Sequence, residues 1–212
     1  MEDVTVQDNK TYVCKQVQDD TGNSSLSAIN WEAFEALELV ETVTGIHPKE
    51  RTEVRICWSR SHLHIRFRCS DSYAHSTFTK RDDPLYEQDV VEMFIDETGA
   101  GTRYMELEIS PNNIVFDALV THDGEAVTNL DLAWRFEGMT TSVERLDEDI
   151  LMYFIHIPVE NFKLPIEPGV SWRVNFYRID EDEQGFREFQ AWQPTGAINY
   201  HLPSKFGRLT FV

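Results

Sequence analysis

In the run Tyr104-Met105-Glu106-Leu107-Glu108-Ile109, glutamates alternate with large apolar residues, and Glu92 stands alone among Val90, Val91, Met93 and Phe94. Successive side chains of a strand point to opposite faces. Met105, Leu107 and Ile109 therefore share a face that asks to be buried, while Tyr104, Glu106 and Glu108 share one directed at a cleft or at solvent. A glutamate set among apolar residues has to find partners, because an unpaired buried carboxylate is costly. Rings accompany these acids. Tyr86 lies just before the Glu92 segment, and in Glu188-Phe189-Gln190-Ala191-Trp192 the indole of Trp192 falls on the same face as Glu188 and Gln190. A sugar has C–H faces and hydroxyl edges, so a protein holds it with aromatic rings against the faces and with carboxylates, amides and guanidinium groups at the edges. Tyr86 and Trp192 are the candidate stacking platforms, with Glu92, Glu106, Asn175 and Arg178 as the polar floor. Each also has a structural reading: a tryptophan or tyrosine in a sandwich often fills the core, and Arg178 can pair with Asp180, Glu106 or Glu108. Arg178 lies three residues from Asn175, so regular alternation puts the two on opposite faces, and a bulge would be needed to unite them.

The elements that must position these side chains read as strands. Val54, Ile56 and Trp58 alternate with polar neighbours, and Leu63, Ile65 and Phe67 do so again after a Ser59 to His62 turn, which predicts a hairpin. If Trp58 lies opposite Leu63, Cys57 lies opposite His64 on one face and Cys69 falls on the other. Further strands are expected near 89–96, 103–110, 114–120, 133–137, 140–145, 150–157, 171–179, 187–192 and 207–212. Turn chemistry separates them at Pro111-Asn112-Asn113, Asp123-Gly124, Asp147-Glu148-Asp149 and Glu183-Gln184-Gly185. Helix is scarce, confined to a short piece through Trp31, Phe34 and Leu37 that Ser27 or Asn30 would cap. The expected class is all-β: one antiparallel, jelly-roll-like β-sandwich of about ten strands over 31–212. Residues 1–30 form a polar segment packing on it or leading into it, with a loop at Asp19 to Ser25 and a short strand at Thr11 to Cys14.

Charge excludes several partners. Nineteen Lys plus Arg against thirty-seven Asp plus Glu give a net −18, a surface that repels nucleic-acid phosphates and anionic lipid. No run approaches 18 apolar residues, so no membrane-spanning helix is expected. The start, Met1-Glu2-Asp3-Val4-Thr5, is acidic where an export signal needs a basic segment and then an apolar one, so no export signal is expected and the compartment stays open. Cys14, Cys57 and Cys69 are odd in number and lack metal-ligand spacing, which predicts reduced thiols.

Several separated segments, in order, resemble carbohydrate-binding module family 9: the Val54 to Asp71 hairpin, Tyr86 to Asp96, Ala191-Trp192-Gln193-Pro194-Thr195, and the close Pro203-Ser204-Lys205-Phe206-Gly207-Arg208-Leu209. The resemblance implies a β-sandwich in which two aromatics clamp the terminal sugar of a glucan or xylan chain. It maps the clamp to Tyr86 and Trp192, the ligand-contacting glutamate to Glu92 and an asparagine to Asn175. Tyr86 replaces a tryptophan of the family, and Glu106 stands near the place of a ligand-binding arginine. The family also implies structural calcium, for which no D-x-D-x-D-G loop marks a site here, so metal is unassigned and no other cofactor is expected. Such modules often accompany glycoside hydrolases, which makes a hydrolase an expected partner in carbohydrate catabolism. The expected function is thus non-catalytic binding of glycan chain ends or small saccharides. One alternative is a glycoside hydrolase that takes its acid and second carboxylate from Glu92, Glu106 and Glu108. Another follows from a distant resemblance to haem-binding DOMON-type sandwiches, with His156, on the Met152 and Phe154 face, as an iron ligand. Sequence motifs for nucleotide binding, serine hydrolysis and zinc proteolysis are missing.

Overall fold

A computed structural model describes residues 9–18 and 29–212, and regular structure among them is strand apart from four single-turn 3-10 segments. In chain order the strands are β1 (Thr11–Gln16), β2 (Leu37–Glu38), β3 (Val40–Glu41), β4 (Thr52–Trp58), β5 (His62–Ser70), β6 (Val90–Asp96) and β7 (Arg103–Ile109). They continue as β8 (Val115–His122), β9 (Val127–Asp131), β10 (Thr140–Asp147), β11 (Ile150–Pro158), β12 (Ser171–Glu181), β13 (Arg187–Ala191) and β14 (Gly207–Phe211). All fourteen belong to one largely antiparallel, curled sheet that doubles over into two layers. One layer runs β10-β11-β5-β4 and the other β14-β12-β6-β7-β8-β9. β1 joins them, pairing in parallel with β14 through Thr11 to Cys14 and with β4 through Lys15 and Gln16. The all-β sandwich read from the sequence is the observed class.

Alternation accounts for the layering. The inward faces supply one large core, with Val54, Ile56, Ile65 and Phe67 from one layer meeting Met93, Leu107, Trp172 and Phe176 from the other. The β4–β5 register is the one the hairpin predicts, Trp58 opposite Leu63 and Cys57 opposite His64. Cys69 consequently joins the main core, Cys57 packs on the outer face with Met152 and Phe154, and all three thiols are buried and unbridged. Tyr12 ties β1 down: its hydroxyl donates to the Ile56 carbonyl at 3.0 Å. The outer face of the β12-β6-β7-β8 layer is also apolar at one end, where Phe94, Tyr104, Tyr177 and Phe206 pack together.

Three expectations differ from what forms. The strand expected at 133–137 is a loop, and the strand lies earlier, at β9. The Trp134 and Phe136 alternation comes from two rings packed edge to face at 4.6 Å, with the Phe136 N–H bonded to the Asp117 carboxylate at 2.8 Å, not from ladder pairing. The short helix contracts to the 3-10 turn Trp31–Ala33, Asn30 makes no side-chain cap, and Leu37 already begins β2. The expected Asp19 to Ser25 loop and the Ser27 cap lie outside the described residues.

Candidate functional site

Glu92 on β6 and Glu108 on β7 are direct cross-strand partners, and Glu106 lies two residues along the same face. Met93, Leu107 and Ile109 take the inward face, so the period of two leaves all three carboxylates on the outer face of this layer. One oxygen from each lies within 4.8 Å of the others, and all three residues are buried. They floor a cleft of about 430 Å³. Its walls are apolar and aromatic: Phe94, Phe116, Phe189 and Tyr200 surround the acids, and Tyr86, 52% exposed, stands over them from the 3-10 turn Leu85–Glu87.

Burial dominates the electrostatics of this floor. It raises Glu106 to about 7. Glu92 is raised by burial and then by the neighbouring Glu106, and Glu108 by burial and then by Glu92 and Glu106. The Glu106 and Glu108 side chains also act on each other, lowering Glu106 and raising Glu108 further. Even so, Glu92 Oε1 and Glu108 Oε2 have no hydrogen-bond partner among the described residues. Cationic help is thin. Arg187 lines the cleft and its charge opposes the rise at Glu92, while its guanidinium is bonded to the Tyr86 carbonyl and lies over the Phe189 ring, 5.1 Å from the centroid. His201 places Nε2 3.9 Å from Glu106 Oε1, and burial lowers it to about 4, so it is neutral at pH 7.

Of the residues singled out from sequence, Tyr86, Glu92 and Glu106 meet here, and Glu108, read only as a catalytic alternative, joins them. Three others are elsewhere. Trp192 is 2% exposed and packs in the main core against Phe176, so it does not face Tyr86 across this cleft. The physical reason lies in β13, whose polar face is the inward one: Gln190 is fully buried, with its amide bonded to the Glu50 carbonyl at 2.7 Å. Asn175 shares the outer-face parity of Glu92, but its amide is consumed in holding the chain after β13. It donates to the Gln193 carbonyl at 3.0 Å and accepts the Gln193 N–H at 2.9 Å. Arg178 lies on the inward face, as alternation requires, donating to Asp71, Asp180 and the Ser70 carbonyl. The sequence reading missed Arg187 and Phe189, whose parity on β13 is opposite to that of Gln190 and was readable. Tyr200 and His201 arrive on a loop that carries no such periodic signal.

Arg178 also bears on calcium. Asp71, Asp89 and Asp180 form the other compact acidic group among the described residues. A guanidinium already sits between two of its carboxylates, and both Asp89 oxygens accept backbone N–H groups, from His75 and Glu181. This donor set does not fit an additional ion. His156, the residue of the haem alternative, has its ring against His64, with Nδ1 to Nδ1 at 2.6 Å. A second cleft, of about 470 Å³ at Thr98 to Thr102 and Arg208, contains no comparable group of buried acids.

A family model described as carbohydrate family 9 binding domain-like matches residues 24–212. A protein named "Extracellular protein" from Arthroderma benhamiae is 25% identical over 195 residues, 86% of this chain and 87% of that one. A Bacteroides uniformis structure superposes with a TM-score of 0.77 at 18% identity, covering 96% of this chain and all of the other. A family 9 module from Caldicellulosiruptor kristjanssonii in complex with glucose gives a TM-score of 0.69 at 14% identity, covering 96% of each chain. The cellotriose complex from the same organism gives 0.70 at 15%, with 95% and 93% covered. At these identities the structures establish a shared fold.

Proposed function

Given that this chain belongs to the carbohydrate family 9 binding domain-like family, we propose that it binds the end of a glycan chain or a small saccharide, without cleaving it, in the cleft floored by Glu92, Glu106 and Glu108. The observation that carries the reading is the pair of unpartnered carboxylate oxygens, Glu92 Oε1 and Glu108 Oε2, beneath an exposed ring, Tyr86. Unbonded buried acceptors ask for donors from a ligand, and sugar hydroxyls supply them. Tyr86 offers the flat apolar surface that a pyranose C–H face stacks on. The neighbours bound to glucose and cellotriose support a saccharide of that size. Xylan and a glycoside hydrolase partner in carbohydrate catabolism remain the expectations that the family brings. Hydrolysis is the weaker reading, because a glycosidase needs one carboxyl group protonated and one ionised across the scissile bond, whereas burial raises all three of these acids together.

The test is a glycan array followed by calorimetry on the best ligand, with Tyr86→Ala beside the parent. Losing the ring should weaken binding by about 0.5–1.5 kcal/mol, the scale of one aromatic contact, with thermal stability unchanged because Tyr86 is half exposed. Binding indifferent to Tyr86→Ala would remove this cleft from consideration.

A further inference from the structure

Three carboxylates confined within 4.8 Å of one another, with no lysine among the cleft-lining residues and the one arginine turned to a backbone carbonyl, are a floor built for positive charge. Neutral hydroxyls would satisfy single acceptors but would not offset the cost of ionising three neighbouring buried acids, which a cation would. We infer that the cleft is specific for a saccharide carrying a free amine, a hexosamine whose ammonium group is held by Glu92, Glu106 and Glu108 while its ring lies against the aromatic walls. This deepens the carbohydrate reading and rests on it.

The geometry suits an ammonium group. A protonated primary amine has three N–H donors on one nitrogen, as a lysine does, and the floor offers one oxygen from each of three glutamates. Two oxygens of this group, Glu92 Oε1 and Glu108 Oε2, have no hydrogen-bond partner among the described residues. Beside the third acid, Glu106, stands His201, neutral at pH 7 and 3.9 Å away. A bare divalent ion is the less fitting occupant. Calcium takes six to eight oxygens, and beyond the three acids the lining offers few side-chain oxygens, from Tyr86, Asn199 and Tyr200, among Phe94, Phe116, Phe189 and Ile179, which ligate nothing. The same apolar surfaces suit the carbon skeleton of an organic cation.

The experiment is calorimetric titration of the full chain with D-glucosamine, D-glucose and N-acetylglucosamine at pH 7, and separately with calcium chloride. N-acetylation keeps the ring and removes the charge. Glucosamine should bind at least tenfold more tightly than glucose, about 1.4 kcal/mol, N-acetylglucosamine should show no such gain, and Glu106→Gln and Glu108→Gln should each erase the glucosamine preference in protein that remains folded by circular dichroism. Equal affinity for glucose and glucosamine would overturn the amine inference and leave the carbohydrate reading standing. Silence toward all three sugars would overturn the inference, and silence across a broad glycan panel as well would take the carbohydrate reading with it. Calcium binding that displaces glucosamine would show a metal site instead and overturn the inference.

Discussion

Replacing Glu106 with glutamine should make the protein more stable at pH 8 and change little at pH 5. The carboxyl of Glu106 titrates near 4.5 when exposed, and burial raises it to about 7 in the fold. The folded state therefore holds a proton that the unfolded chain releases between those values. Stability falls as pH rises wherever the native state binds more protons, so the contribution is fully present below about 4.5 and is lost as pH climbs through 7. At 1.36 kcal/mol per unit, the difference costs the native state about 3 kcal/mol at pH 8 and under about 1 kcal/mol at pH 5. Glutamine cannot ionise, and its amide keeps a donor and an acceptor for the neighbouring carboxyl groups. It also removes a charge that raises Glu92 and Glu108. Urea denaturation followed by tryptophan fluorescence at the two pH values measures the effect. The stability gain of Glu106→Gln over the parent should grow by about 2 kcal/mol from pH 5 to pH 8. A variant equally destabilised at both values would mean that Glu106 ionises freely, which would refute the account of the floor as a buried group whose charge the fold disfavours.

Trp192→Ala should cost about 3–5 kcal/mol, the range for emptying a large aromatic site in a core, and differential scanning calorimetry should show a melting point lower by roughly 6–20 °C; a neutral result would put the indole outside the core. Gly207→Ala should be destabilising through the same ring, because a Cβ there would strike the six-membered ring of Trp192; parent-like melting would contradict that close approach. Burial pushes the Cys57 thiol up to about 12, the Cys69 thiol to about 11 and Cys14 well above its usual value. Ellman titration should therefore find no fast-reacting thiol among these in native protein and three in denaturant, and fewer than three would reveal a bridge.

The sheet was readable where alternation separates a wholly apolar face from a mixed one. β4, β5 and β7 are such strands, and for β4–β5 even the register followed from placing Trp58 opposite Leu63. It was less readable where rings or polar groups alternate for other reasons, as at Trp134 and Phe136. The site divides along the same line. Glu92, Glu106 and Tyr86 converge because each lies in or beside a strand whose inward face is unmistakably apolar. Trp192 misled because the polar residues beside it, Glu188 and Gln190, suggested a wet face, while β13 turns those side chains inward to bond Lys49, Glu50 and the chain around them. Periodicity fixes parity, but which parity is inward depends on the layer opposite. Tyr200 and His201 belong to a loop whose course is set by tertiary packing, with Tyr177 and Tyr200 stacked at 4.0 Å, and no local pattern foretells that.

The seam made by β1 has a consequence for assembly in time. It lies between β4 and β14 and pairs Thr11 with Arg208. Contacts between residues so far apart in sequence form late, since the loop they close must be ordered before they reward it. On a ribosome the β4–β5 hairpin and the β6–β7–β8 meander can each form from local sequence, yet the two layers cannot be joined through β1 until β14 has emerged. Until then Trp58 lacks the Val212 carbonyl that shares its indole N–H and the Phe211 ring beside it. Until β14 is made the nascent chain therefore exposes open sheet edges, and its strong negative charge is then a safeguard against mispairing with its own copies.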